Sequence, residues 1–182
     1  MANKILILTG DGGEGYETWY AYHRFQEAGY VPHIGAPAKR RLNLVMHDFE
    51  EGWDTYIEKP GYGAEADLIF SEVNVNDYVA VLVIGGRAPE YLRNNPKVIA
   101  IMKEFDAKKK WIFSICHGIQ ILIAAGLVRG RKLTCYENVR LELEHVGAKW
   151  VNQPSVMDGN IITSQTWESH PEFYRQIFQN LV

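Results

Sequence analysis

The sequence predicts an α/β fold with a mainly parallel central sheet and helices on both of its faces. Three observations predict it. Apolar runs of strand length are continuous rather than alternating, as in strands covered on both sides. Stretches of helical periodicity stand between them at βαβ spacing. Glycine-rich turns close several of the runs, where such sheets carry their ligand sites, beyond the carboxyl ends of the strands.

In chain order, Lys4–Thr9 is the first continuous apolar run, and Gly10-Asp11-Gly12-Gly13-Glu14 follows as a turn. Tyr16–Ala28 has apolar residues at helical spacing and is closed by Gly29. Val31–Ala36 reads as a second strand. Residues from about Arg40 to Ile69 mix Gly, Pro and aromatics, and predict an excursion of short strands and loops. Tyr78–Ile84 is a strong strand stopped by Gly85-Gly86, Pro96–Ala107 a helix, and Trp111–Ile115 another apolar strand. His117–Ala125 is apolar on nearly every side, as a buried helix is, and ends at Gly126. Arg131–Cys135 predicts a short strand, and Asn138 a cap for a helix that reaches Val146. Asp158-Gly159 is a hairpin signal inside Val156–Thr163. Trp167–Leu181 is a last helix, capped by Ser169 or Thr166.

The chain has 182 residues, 47% of them hydrophobic, which predicts one globular domain over 1–182. A net charge of -3 argues against nucleic acid as a partner. No apolar stretch approaches the roughly 18 residues of a membrane span. The first apolar run is too short for a signal peptide, so a cytoplasmic protein is expected. Two cysteines, Cys116 and Cys135, make neither a disulfide framework nor a four-ligand zinc pattern. The histidines at 23, 33, 47, 117, 145 and 170 follow no ligand spacing, so neither metal nor cofactor is expected.

Cys116 is the most informative residue. An apolar strand runs into it and a helix begins at once, so its side chain is expected in the crevice on a nucleophile elbow. The helix N-terminus there favours thiolate over thiol. A buried structural cysteine is the alternative reading. His117 stands in the first helical turn as a proton carrier or charge partner, although adjacent helical positions point apart. Glu14 can deliver a carboxylate to the crevice, or can complement the helix dipole together with Glu17. Gly85-Gly86 can turn backbone N–H groups toward a developing oxyanion, or can simply end a strand. Cys135 has no comparable setting.

Gly85-Gly86-Arg87-Ala88-Pro89-Glu90-Tyr91-Leu92 together with Ser114-Ile115-Cys116-His117-Gly118 resembles the PfpI/ThiJ superfamily, the Parkinsonism-associated deglycase family. Ala125 to Lys132, Gly147 to Val151 and Asp158 to Thr163 extend the resemblance along nearly the whole chain. It implies a flavodoxin-like three-layer sandwich with Cys116 as nucleophile, His117 as its neighbour and Glu14 as the acid. Glu17 is the reserve acid, and the Gly86 and His117 amides match the oxyanion-binding positions.

Within the superfamily, Thr9 to Glu17, Met46-His47-Asp48-Phe49 and His170-Pro171-Glu172-Phe173 are most similar to the glyoxalase III type. The resemblance therefore implies a cofactor-free enzyme that converts small dicarbonyls, methylglyoxal to lactate among them. Deglycase activity, an intracellular peptidase of the PfpI type and a redox-sensing stress protein or chaperone are the alternatives. A glutamine amidotransferase is disfavoured because Glu168-Ser169-His170 reverses the His-x-Glu order. Gly12-Gly13, where relatives are bulkier, is expected to widen the crevice. A homo-oligomer is implied by the same analogy, with aromatics around Trp53 and Tyr56 as an interface.

Overall fold

Strand β1 (Lys4–Leu8) buries every side chain but that of Lys4, as an apolar run covered on both faces must. The computed structural model describes residues 3–181; Met1, Ala2 and Val182, which end the domain read over 1–182, lie outside the described residues. Helix α1 (Gly15–Glu27) and strand β2 (Val31–Ala36) follow, joined through Gly29 at φ +84°. The predicted excursion consists of β3 (Arg41–Leu42), β4 (Val45–Asp48), β5 (Ile57–Pro60), β6 (Ala64–Glu65) and β7 (Leu68–Ile69). Strand β8 (Tyr78–Val83), helix α2 (Ala88–Leu92) and helix α3 (Pro96–Ala107) come next. Strand β9 (Trp111–Ile115) enters a 3-10 turn over Cys116–Gly118 and then helix α4 (Ile119–Ala124). The chain finishes with β10 (Lys132–Leu133), α5 (Arg140–His145), β11 (Lys149–Trp150), the hairpin β12 (Ser155–Asp158) and β13 (Ile161–Ser164), and α6 (His170–Asn180).

The main sheet runs β12-β13-β9-β8-β1-β2-β7, and only the β12–β13 pairing is antiparallel. Phe25 of α1 packs against Tyr174 and Phe178 of α6, with ring centroids 5.7 and 5.9 Å away, to cover one face. On the other face α3 packs on β9, and α4 lies among α2, α3 and α5. The result is the three-layer α/β sandwich that the alternation of elements predicts. Among the described residues no helix is long and apolar enough to cross a membrane.

Some local expectations change. The strand expected at Arg131–Cys135 shrinks to β10 and pairs only with β11, outside the main sheet. Asn138 caps no helix, because its amide donates to the Tyr136 hydroxyl at 2.9 Å. Of the two caps proposed for the last helix, Thr166 accepts from the Glu168 N–H at 3.3 Å, and Ser169 makes no side-chain cap. Helix α2 lies in a stretch read from sequence only as a turn.

Glu14 is the N-cap of α1. Its Oε2 accepts from the Glu17 N–H at 2.6 Å, and its Oε1 from the His47 N–H at 3.4 Å. The cap therefore ties the first main-sheet turn to β4, beside a backbone bridge between Glu14 and Val45. The carboxyl is 1% exposed, and burial raises its pKa to about 7 against backbone hydrogen bonds that lower it.

A carboxyl whose folded pKa is raised stabilises the fold below its ordinary value of 4.5, and that stability is lost as pH rises through about 7. His117 and His170, pushed down to about 4 by burial, act oppositely: their support is complete above 6.5 and fades as pH falls toward 4. The window above pH 6.5 thus separates Glu14 from both histidines. Melting temperatures measured from about pH 6.5 to 8 should fall for the wild type and fall less for Glu14→Gln. An equal fall in both proteins would show that Glu14 is not the group responsible.

Candidate active site

The ends of β1, β8 and β9, adjacent in the sheet, bring three turns together. Cys116 sits at φ +58°, in the left-handed region that side chains with a Cβ rarely occupy. Such strain persists only where the surroundings hold it in place. Here Gly85 gives the closest support, since a Cβ on it would stand 2.5 Å from the Cys116 Cβ, and Gly118 packs the next turn on the Val83 carbonyl oxygen, 2.6 Å from where its own Cβ would be. Gly86, at φ +72°, is equally confined, because a Cβ there would meet the Gly12 carbonyl and would lie 2.5 Å from the Glu14 nitrogen.

The glycines of the first turn serve close packing and do not widen the crevice as expected. A Cβ on Gly12 would stand 2.8 Å from the Arg87 side chain, and one on Gly13 would collide with the Thr9 hydroxyl. The Gly12 carbonyl accepts from the Arg87 N–H at 2.9 Å, which pins this turn to the one after β8.

Around the Cys116 sulfur the polar groups converge. The N–H groups of His117 and Gly86 lie close enough to it to favour a charge on the sulfur. His117 Nδ1 lies 3.3 Å from Sγ. The left-handed turn at Cys116 brings these neighbours together where a regular helix would part them.

The carboxyl beside the sulfur belongs to Glu17, and this corrects the expectation for Glu14. Glu17 is 1% exposed, its Oε2 accepts from the Gly85 N–H at 2.7 Å, and its carboxyl stands close enough to the Cys116 thiol for each to act on the ionisation of the other. Its Oε1 is buried and has no hydrogen-bond partner among the described residues. Glu14 precedes the helix, so its side chain turns back to cap it; Glu17, one turn further on, reaches over the end of β8.

Burial pushes the Glu17 carboxyl well above the usual carboxylate range, and the charge of Glu14 adds to the effect. The Cys116 thiol is also pushed well up, first by burial and then by a negative charge on Glu17, while the His117 and Gly86 N–H groups pull it down. The lowering expected from the helix N-terminus is outweighed by this burial and by the charge on Glu17. Two acids in contact in a buried site do not both ionise, so the pair titrates as a unit. His117 is held neutral by its burial, with a pKa of about 4.

Aromatic rings cover the site, and Cys116 is only 7% exposed. Tyr56 stands edge-on to the His117 ring with centroids 5.9 Å apart, and Tyr136 lies 5.2 Å from the same ring. Tyr56 is thus part of the cover, whereas Trp53 is 63% exposed. His47 stacks on Tyr56 at 3.9 Å and places its Nε2 2.9 Å from Glu58, which in turn accepts from Arg87 Nε at 3.0 Å. From the sequence Tyr56 reads as an interface aromatic and Arg87 only as part of the turn after β8, and Glu58 is not singled out. His170 lies away from the sulfur, stacked on Tyr20 at 4.3 Å. Cys135 is fully buried, and burial raises its thiol to about 12. Among the described residues no three His, Cys, Asp or Glu side chains are grouped to hold a metal ion.

Comparison with known proteins agrees with this fold. The DJ-1/PfpI family matches residues 3–180. The chain is 41% identical over 184 residues to protein DJ-1 homolog D of Arabidopsis thaliana, covering 97% of this chain and 47% of that protein. It therefore spans about half the length of that relative. A deglycase of Pyrococcus horikoshii is 38% identical over 162 residues, 89% of each chain. In fold, the chain matches a two-domain protein of Anabaena variabilis that contains DJ-1/ThiJ/PfpI-like and ferritin-like domains. The TM-score is 0.86 at 24% identity, over 98% of this chain and 48% of that one. The chain belongs to the DJ-1/PfpI family.

Proposed function

We propose that the chain is a deglycase-type enzyme, independent of any cofactor, that acts on small reactive dicarbonyls, with methylglyoxal to lactate as its simplest reaction. The observation that carries this reading is the convergence of a carboxyl and two backbone N–H groups on a sulfur that is only 7% exposed. Relatives named deglycase support the reaction class. The small buried site favours a compact substrate over a polypeptide chain.

In the reacting form of the pair Glu17 holds the proton and Cys116 the negative charge. The thiolate adds to the aldehyde carbon; the C–S bond forms, and the carbonyl oxygen takes the electron pair and then the Glu17 proton. The Gly86 and His117 N–H groups stabilise that oxygen as its charge develops. The Glu17 carboxylate next removes the hydrogen from the same carbon, and the electrons move into an enediolate. Glu17 returns the proton to the neighbouring carbon, and the first hydroxyl gives its proton to the enediolate oxygen, leaving a thioester. Water cleaves the thioester, the hydroxy acid departs, and one proton remains on the Cys116–Glu17 pair.

A peptidase shares the nucleophile but needs room for a chain and a histidine base. The covered sulfur and the proximity of Glu17 give that reading less support. A redox sensor would use the same thiolate without turnover.

Chirally resolved lactate formation from methylglyoxal separates these readings. Cys116→Ala should abolish it. Glu17→Gln should lower kcat by about 10²–10⁴, the usual contribution of a positioned acid–base group. Glu14→Gln should cost less than about tenfold, since that side chain caps a helix. Loss on Glu14→Gln with retention on Glu17→Gln would reverse the assignment, and casein cleavage at a comparable rate would establish the peptidase. Gly86→Ala, at a left-handed position without room for a methyl group, should reduce both kcat and melting temperature; an unchanged enzyme would remove Gly86 from the oxyanion site.

A further inference from the structure

A dicarbonyl has two oxygens, and the groups already described hold only the one on the attacked carbon. The second carbonyl needs a donor in the aromatic cover over the sulfur. Tyr56 is the group that the structure places there. Its ring stands at 89° to the His117 imidazole, whose Nδ1 is 3.3 Å from the Cys116 sulfur. It also packs at 5.8 Å against Tyr136, whose N–H donates to the Cys116 carbonyl at 3.5 Å.

The ring is fixed in its plane. His47 stacks on it at 3.9 Å and 21°, and is itself held by Glu58, which also binds Arg87. The His47 backbone is tied on both sides, since its N–H donates to Glu14 and its carbonyl accepts from Trp167 Nε1 at 3.0 Å. Tyr56 is therefore the rigid tip of the cover. Its hydroxyl makes no hydrogen bond to the protein among the described residues, in contrast to that of Tyr136, which accepts from Asn138. Burial, and after it the nearby charge that Cys116 can carry, opposes ionisation of the phenol and keeps the proton on Tyr56 with a pKa of about 12. The phenol is a hydrogen-bond donor throughout the neutral range.

We propose that the Tyr56 hydroxyl donates to the second carbonyl oxygen of the substrate and so sets the preference of the site for 1,2-dicarbonyls over simple aldehydes. The proposal rests on the dicarbonyl reading above and adds the residue that distinguishes the substrate class. No bond to Tyr56 forms or breaks, and its proton stays on the phenol.

The experiment compares the full chain with Tyr56→Phe, which retains the ring and its stacking on His47. KM and kcat are measured for methylglyoxal. In parallel, methylglyoxal or propanal is titrated as protection of Cys116 against iodoacetamide. One lost hydrogen bond in a water-poor site should raise KM for methylglyoxal by about tenfold, with kcat within roughly threefold. The half-protecting concentration should rise by about tenfold for methylglyoxal and stay level for propanal. Alkylation without protectant should proceed at the wild-type rate. Equal shifts for the two protectants, or no shift for either, would overturn the assignment. Absence of lactate from the wild type would defeat the proposed reaction instead, and the protection series would still decide the role of Tyr56, because it requires no turnover.

Discussion

The site depends on one constraint: a sulfur and a carboxyl, both withdrawn from water and close together, cannot both carry a charge. Burial penalises a charge on either. Where the charge rests is decided by donors, and they are distributed unevenly. Glu17 receives the Gly85 N–H, whereas the sulfur faces the N–H groups of Gly86 and His117 together with the carboxyl itself. A proton on Glu17 removes the charge that opposes the thiolate and supplies a further donor to it. The same exchange makes Glu17 a base once the sulfur has spent its charge on a carbonyl carbon.

The fold exists around this contact in a literal sense. Parallel pairing of β9, β8 and β1 sets three turns side by side, and each is tight for a steric reason at a named atom. Cys116 occupies a left-handed backbone conformation, and its side chain meets groups that regular helical geometry would hold apart. The excursion between β2 and β7, of little consequence to the sheet, supplies the cover over the sulfur and a backbone donor to the Glu14 cap. That division explains why two acids three residues apart on one helix take different work. Glu14 holds the helix start, and Glu17 meets the sulfur.

Much of this was legible in the sequence because it rests on local pattern. The strands Val31–Ala36 and Trp111–Ile115 and the helix Pro96–Ala107 have the predicted bounds, since continuous apolar runs, a proline at a helix start and glycines after helix ends act over a few residues. Cys116, His117 and Gly86 were legible for the same reason, as each sits at the turn after a strand. The order of Glu14 and Glu17 was not, because a first-turn acid and a cap look alike until the start of the helix is fixed to one residue. The burial of Cys116 was likewise hidden, as its cover comes from residues about sixty positions away that pair in short, weakly patterned strands.

The most direct test is the pH at which Cys116 is half ionised, followed by thiolate absorbance in the wild type and in Glu17→Leu. Sharing of the Glu17 proton predicts that the midpoint, which burial raises, rises by more than about one further unit in Glu17→Leu, where the sulfur loses the proton that the carboxyl supplies. A midpoint that is indifferent to Glu17 would contradict it: burial alone would then govern the sulfur, and the thiol would be a packed side chain.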